Sequence, residues 1–164
     1  MPKSRKEIIL GIDPGLADTG YGVIEYDGYK TKALGWGSIK TKAKTADSER
    51  LVIIRDKLVE IIKLYKPDRA GIEKLYFARN TTSALLVGQA RGVVLLTLKD
   101  YGLPIVEFTP SQIKQTLTSY GAADKKQMTA MVRLILKLDK DPKPDDAADG
   151  LAVALTTAWS KKFG

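Results

Sequence analysis

Three β-patterned segments follow one another in the first forty residues, and only two more occur in the rest of the chain, each between helical stretches. Residues 7–12 are an apolar, β-branched run that stops at Asp13-Pro14-Gly15, as a buried strand closed by a turn does. Residues 19–26 set Tyr21, Val23 and Tyr26 among small or polar residues, and Asp27-Gly28 follows, a strong hairpin signal. Residues 32–40 then form a third strand antiparallel to the second. Beyond this meander, Leu51, Ile54, Leu58, Ile61, Ile62 and Tyr65 recur at spacings of three and four, predicting an amphipathic helix over 48–65 that Pro67 ends. Short strands are expected at 70–73 and 104–108. Between them, 84–98 is apolar on most sides and is expected to be a buried helix. Thr109-Pro110-Ser111-Gln112 and the Asp124 to Gln127 stretch both have capping-box form, the second ahead of a helix over 128–136. A polar, proline-containing stretch at 139–144 precedes a last helix over 145–159. The order β-β-β-α-β-α-β-α-α-α predicts an α/β protein with a mixed five-stranded sheet, an antiparallel meander plus parallel strands, and helices on both faces. The length suits one domain over 1–164, with 1–6 and 160–164 as tails.

The residue inventory narrows the chemistry. The chain has no cysteine and no histidine, which removes thiolate nucleophiles, Cys- or His-ligated metals and the Ser-His-Asp triad. What remains is carboxylates, Lys, Arg, Tyr, Ser and Thr, or a metal held by oxygen, and carboxylate and carbonyl oxygens suit Mg²⁺ or Mn²⁺. The 27 Lys and Arg against 19 Asp and Glu give a net charge of +8, which favours polyanionic partners. No signal-peptide pattern is visible, and the apolar 84–98 stretch contains Gln89 and Arg91 and is shorter than the ~20 residues of a membrane span. A cytoplasmic protein with no membrane partner is expected.

The acids have a pattern. Asp13 and Glu73 each stand at the C-terminal end of an expected strand, the side of an open α/β sheet where sites gather. Asp146 and Asp149, three apart, share one face of the last helix, and Ala147 and Ala148 between them permit close approach to another element. Asp13-Pro14-Gly15 also reads as a plain turn, and Asp145, Asp146 and Asp149 also read as acids favouring a helix macrodipole. Glu73 is harder to reduce to structure. It follows the apolar Ala70-Gly71-Ile72, and buried acids are rare unless paired or metal-bound. Four converging acids require compensation. Two divalent cations roughly 4 Å apart would supply it, stabilise the attacking and leaving oxygens of a phosphoryl displacement and activate water. Setting four acids aside leaves 15 against 27 cations, so the remaining surface carries +12, enough to bind a phosphate backbone salt-dependently.

These residues resemble the RuvC family of Holliday-junction resolvases. The resemblance rests on Ile9-Leu10-Gly11-Ile12-Asp13-Pro14-Gly15, Thr19-Gly20-Tyr21-Gly22-Val23-Ile24, Ile72-Glu73, Gly88-Gln89-Ala90-Arg91-Gly92, Val106-Glu107-Phe108 to Lys114-Gln115-Thr116, and Asp146-Ala147-Ala148-Asp149. They occur in family order across residues 7 to 158. The resemblance implies an RNase H-like fold, a homodimer, and Mg²⁺-dependent incision of two opposed strands of four-way junction DNA in recombination and repair. It also implies two metal ions per site, with Mn²⁺ able to substitute, and the RuvA-RuvB branch-migration complex as partner. Asp13, Glu73, Asp146 and Asp149 then take the catalytic and metal-binding roles, with Asp145 a neighbouring alternative to Asp146. The family also implies a junction-contacting aromatic at Tyr76 or Phe77 and DNA-binding cations at Lys114 and Lys125, Lys126 being adjacent to the latter. Arg79, in the same expected loop as Tyr76 and Phe77, is within reach of a phosphate on its own position. An isologous dimer suits a two-fold junction. Gly88 and Gly92 permit close helix approach there, or equally packing against the sheet.

Competing expectations are an RNA-directed nuclease of the YqgF type, an actin- or sugar-kinase-like ATPase, for which 164 residues are too few, and a basic DNA-binding module without catalysis.

Overall fold

The computed structural model describes residues 5–74 and 81–160, so Tyr76, Phe77 and Arg79 lie outside the described residues. In chain order the elements are β1 (Glu7–Asp13), β2 (Asp18–Tyr26), β3 (Thr31–Lys40), α1 (Asp47–Tyr65), β4 (Arg69–Glu73), α2 (Thr81–Asp100), β5 (Ile105–Phe108), α3 (Pro110–Thr118), α4 (Lys125–Leu136) and α5 (Asp145–Trp159). They form one five-stranded sheet in the order β3-β2-β1-β4-β5. β1 is antiparallel to β2 and β2 to β3, whereas β1 and β4, and β4 and β5, are parallel.

Strand alternation sends successive side chains to opposite faces, and the two faces have separate cores. Ile9 and Ile24 pack under α3, α4 and α5 with Leu151, Leu155, Val132 and Phe108. Leu10, Ile12, Val23 and Ile72 face the other way, onto α1 and α2 through Ile54, Leu58, Val94 and Leu98. Each of these large buried side chains contributes about 1.5–3 kcal/mol. The two expected capping boxes are formed. Thr109 and Asp124 accept from the backbone N–H of Gln112 and Gln127, whose side chains reach back to the capping residues. Each cap contributes about 1 kcal/mol and sets where α3 and α4 begin.

A row of glycines decides how closely α5 lies on the sheet. Gly11 of β1, Gly20 and Gly22 of β2, Gly71 of β4 and Gly150 of α5 all sit where the helix and the strands meet. A Cβ on Gly20 would collide with the Asp146 carbonyl oxygen, and one on Gly150 with the backbone of Tyr21. The absence of side chains lets α5 touch the sheet backbone to backbone, with its first turn over the β1–β2 pair.

One expectation needs correction. α2 was expected to span 84–98 and to be buried. It runs for 20 residues, long and apolar enough by composition alone to cross a membrane, and one side of it is open. Leu85 and Leu96 are 64% and 63% exposed, and Gln89 and Gly92 lie on the same side. The inner side packs on the sheet through Ala90, Val94 and Leu98. Composition could not separate core from outer surface because both sides are apolar. Ahead of β1, Lys6 is ion-paired with Glu25 at 2.9 Å. Buried charge at Arg50 and Arg69 was not foreseen. Arg69 pairs with Glu7 at 2.9 Å on the lower half of the β1–β4 contact, away from the acid-bearing ends.

Candidate active site

The register of the sheet brings the first two acids together. Gly11 is paired with Gly71 across the parallel β1–β4 contact, and two residues further on the same face lie Asp13 and Glu73. The parallel direction makes this the carboxyl end of both strands. Asp13 is also opposite Gly20, the residue whose missing Cβ admits the start of α5. That approach delivers the second pair. Asp146 and Asp149, three apart on one helix face, come down over Asp13, and one carboxylate oxygen from each of Asp13, Asp146 and Asp149 lies within 4.8 Å of the others. Glu73, at the end of the neighbouring strand, is close enough for its carboxyl to act on Asp13. Asp145 points away: it is exposed and bound to Lys143 at 2.8 Å, so Asp146 is the member of the cluster.

The electrostatics follow from crowding buried acids. Burial first, then the Glu73 carboxyl and its hydrogen bond, then the charges of Asp149 and Asp146, push the Asp13 carboxyl up to about 9. Glu73 is raised chiefly by burial, and the Asp149 charge adds to this while the Asp13 hydrogen bond and the Lys114 charge oppose it. Burial raises Asp149 too, against the pull of Lys125. Left alone, Asp13 holds its proton at neutral pH. A hard divalent cation relieves the same repulsion, and an oxygen-only set of three to four carboxylates is the donor chemistry such cations take.

Two lysines border the acids. The Asp124 cap makes Lys125 the first residue of α4, and its Nζ lies 3.2 Å from Asp149 Oδ2. Burial lowers the affinity of Lys125 for its proton, but the carboxylates of Asp149, Asp146 and Asp145 outweigh that and leave its pKa raised. Lys114 of α3 faces Glu73 across a cavity of about 180 Å³ that Lys125 and Asp149 also line. A second cavity, of about 200 Å³, is lined by Asp13, Glu73, Lys74 and Arg91.

Arg91 is a site residue that reading the sequence for chemistry missed. From the inner side of α2 its Nη1 donates to the Glu73 carbonyl oxygen at 2.6 Å, and its Nη2 pairs with Glu107 of β5 at 2.8 Å. The guanidinium ties the end of β4 to β5 and braces the backbone that carries the Glu73 carboxylate. The Gly88-Gln89-Ala90-Arg91-Gly92 motif was the available signal, but its arginine acts on a backbone carbonyl, which no side-chain pattern reveals.

Known proteins resemble this chain over most of its length. The family model described as crossover junction endodeoxyribonuclease RuvC matches residues 9–157. Crossover junction endodeoxyribonucleases RuvC from Heliobacterium modesticaldum and Alkaliphilus oremlandii are 49% and 50% identical over 157 and 156 residues. These matches cover 96% of this chain and 97% of the first relative, and 95% of each chain for the second. Among solved structures, Thermus thermophilus RuvC in complex with a Holliday junction substrate superposes with a TM-score of 0.87 at 35% identity, covering 93% of both chains. The yeast mitochondrial Holliday junction resolvase Ydc2, at 15% identity and a TM-score of 0.63, shares the fold. The fold is therefore RNase H-like, a nuclease family of this kind implies a divalent metal, and the acid-bearing sheet ends lie within the matched span. This chain belongs to the RuvC family of crossover junction endodeoxyribonucleases.

Proposed function

We propose that this chain resolves four-way DNA junctions in recombination and repair, cutting two opposed strands in a Mg²⁺-dependent reaction in the cytoplasm. The observation that carries the reading is the meeting of Asp13, Asp146 and Asp149 within 4.8 Å, with Glu73 at the adjacent strand end. In this reading the four acids hold two divalent cations, with Mn²⁺ as a substitute for Mg²⁺. Bound there, such cations stabilise the attacking and leaving oxygens of an in-line displacement and acidify water. The protein's own groups do the rest. Lys125 neutralises Asp149 before substrate arrives and is within reach of a phosphate afterwards. Lys114 offsets charge beside Glu73, and Arg91 keeps the β4 end in place. Tyr76, Phe77 and Arg79 follow Glu73 directly and are assigned to the junction on sequence alone.

One nuclease domain makes one cut, so paired cuts call for two copies. The open side of α2, with Leu85, Gln89, Gly92 and Leu96 at spacings of four, three and four, is the surface assigned to a two-fold homodimer. Gly92 has open space where a side chain would stand, which suits close approach of a second helix. The RuvA-RuvB branch-migration complex is the proposed partner of that dimer on DNA.

The test is incision of a synthetic mobile four-way junction, a duplex of the same sequence and an RNA, each with Mg²⁺ or EDTA. Paired junction cuts with Mg²⁺ alone are expected. The Asp13→Asn variant is expected to bind the junction at least as tightly as the wild type without cutting it. Preferential cutting of RNA, or near-normal turnover by Asp13→Asn, overturns the reading.

A further inference from the structure

A wide groove lies outside the acid cluster. It has a volume of about 880 Å³ and runs along α4 between that helix and the 138–145 segment. Its cations are Lys125, Lys126, Arg133, Lys137 and Lys143, against two acids, Asp141 and Asp145.

The α4 sequence explains the arrangement. Met128, Val132 and Leu136 face the core, which turns Lys126, Ala130, Arg133 and Lys137 outward in one row at spacings of four, three and four. Three of the five cations are already engaged. Lys125 pairs with Asp149 and Lys143 with Asp145. Arg133 reaches Asp141 at 3.6 Å and donates to the Asp139 carbonyl at 2.9 Å, holding the far wall. Lys126 and Lys137 are exposed and have no ion-pair partner among the described residues. Two unpaired lysines at the ends of an open, net positive groove are suited to an extended polyanion rather than to a small anion, which would need convergent donors.

The groove adjoins the acid cluster. Lys125 lines both it and the cavity that Glu73, Lys114 and Asp149 share. From Lys126 to Lys137 the helix rises about 16 Å, at 1.5 Å per residue. The backbone of a duplex winds as it advances, so this length spans fewer phosphates than the axial spacing of about 3.4 Å per strand implies. We infer that this groove carries the phosphate backbone of one duplex arm, leading it away from the acid cluster, with Lys126 contacting it near the cut and Lys137 a few nucleotides further along. The inference rests on the junction reading above and adds the path of the arm and the residues that track it.

The experiment pairs single neutral methylphosphonates, placed one at a time along each strand of an arm, with Lys126→Ala and Lys137→Ala, and reads junction affinity in EDTA. For the wild type, neutralising a contacted phosphate weakens binding about three- to tenfold. For Lys137→Ala that loss disappears at one position, and for Lys126→Ala at another a few nucleotides nearer the cut. Each variant also lowers the slope of log affinity against log salt by about one. Lys63→Ala, on α1 at the opposite face of the sheet, retains the wild-type slope and the full methylphosphonate pattern. Losses that add independently at every position overturn the inference, as does a slope lowered equally by Lys63→Ala. Because binding is read without metal, failure here is separable from failure of cutting. A protein that cuts junctions with no α4 coupling loses the groove, and one that couples but cuts nothing loses the nuclease reading.

Discussion

Replacing Asp13 by Asn should stabilise the metal-free protein, and the size of the effect follows from the site. The Asp13 carboxyl ionises near 3.8 when solvated and is pushed up to about 9 in the fold by burial, by Glu73 and by the charges of Asp149 and Asp146. The folded value lies above the unfolded one, which fixes the sign. Below about pH 4 the group is protonated in both states and has no effect on stability. Between about pH 4 and 9 the unfolded chain releases the proton while the folded chain retains it. Each pH unit in that window costs the fold about 1.4 kcal/mol. At pH 7 the interval above 3.8 corresponds to at most about 4 kcal/mol, and water entry and side-chain relaxation bring the expected gain to about 2–4 kcal/mol. The Asn amide also supplies Glu73 with a permanent donor in place of the shared proton. At about 2–4 °C per kcal/mol for a chain of this length, the variant should melt roughly 5–10 °C above the wild type at pH 7.5 without metal, and within about 2 °C of it at pH 4. Thermal unfolding by circular dichroism in EDTA across that pH range is the assay. Mg²⁺ should raise the wild-type Tm, more at higher pH because binding displaces protons, and should do little for the variant. An Asn variant no more stable at pH 7.5, or equally more stable at pH 4, refutes the reasoning.

Three further outcomes follow from named contacts. Arg91→Ala removes the brace on the Glu73 carbonyl and leaves Glu107 unpaired. The Mg²⁺ concentration for half-maximal incision should rise about 10–100-fold while junction affinity in EDTA holds, with Arg91→Lys intermediate. Gly20→Ala sets a methyl against the Asp146 carbonyl. It should destabilise the fold by about 3 kcal/mol or more, measured by urea unfolding, and lose incision through displacement of the α5 start. Leu96→Asp on the open side of α2 should give a monomer in sedimentation velocity with an unchanged Tm for the protomer, and replace paired cuts with single nicks.

The sheet and its order of elements were legible because their signals are local: alternation, a hairpin dipeptide and two capping boxes, each tied to the residue that does the work. Much of the acid geometry was legible for a related reason. Once Asp13 and Glu73 are placed at ends of parallel strands, register does the rest, and an i, i+3 pair needs only a helix. What was not legible depended on depth and on backbone partners. The choice of Asp146 over Asp145 comes from how closely α5 sits on Gly20 and Gly22, a distance no spacing encodes. The open side of α2 was hidden by its apolar composition, and the Arg91 contact by its carbonyl acceptor. The α4 row was passed over because lysines on an exposed helix face are ordinary until the groove beside them is seen.

The central claim is that the four acids share divalent cations, and the most direct measurement is Mn²⁺ binding counted by electron paramagnetic resonance on the junction complex. Up to two tightly held Mn²⁺ per protomer are predicted for the wild type, displaced by Mg²⁺, with Glu73→Gln and Asp149→Asn each weakening binding at least tenfold. Equal Mn²⁺ stoichiometry and affinity in the wild type and both variants would contradict it.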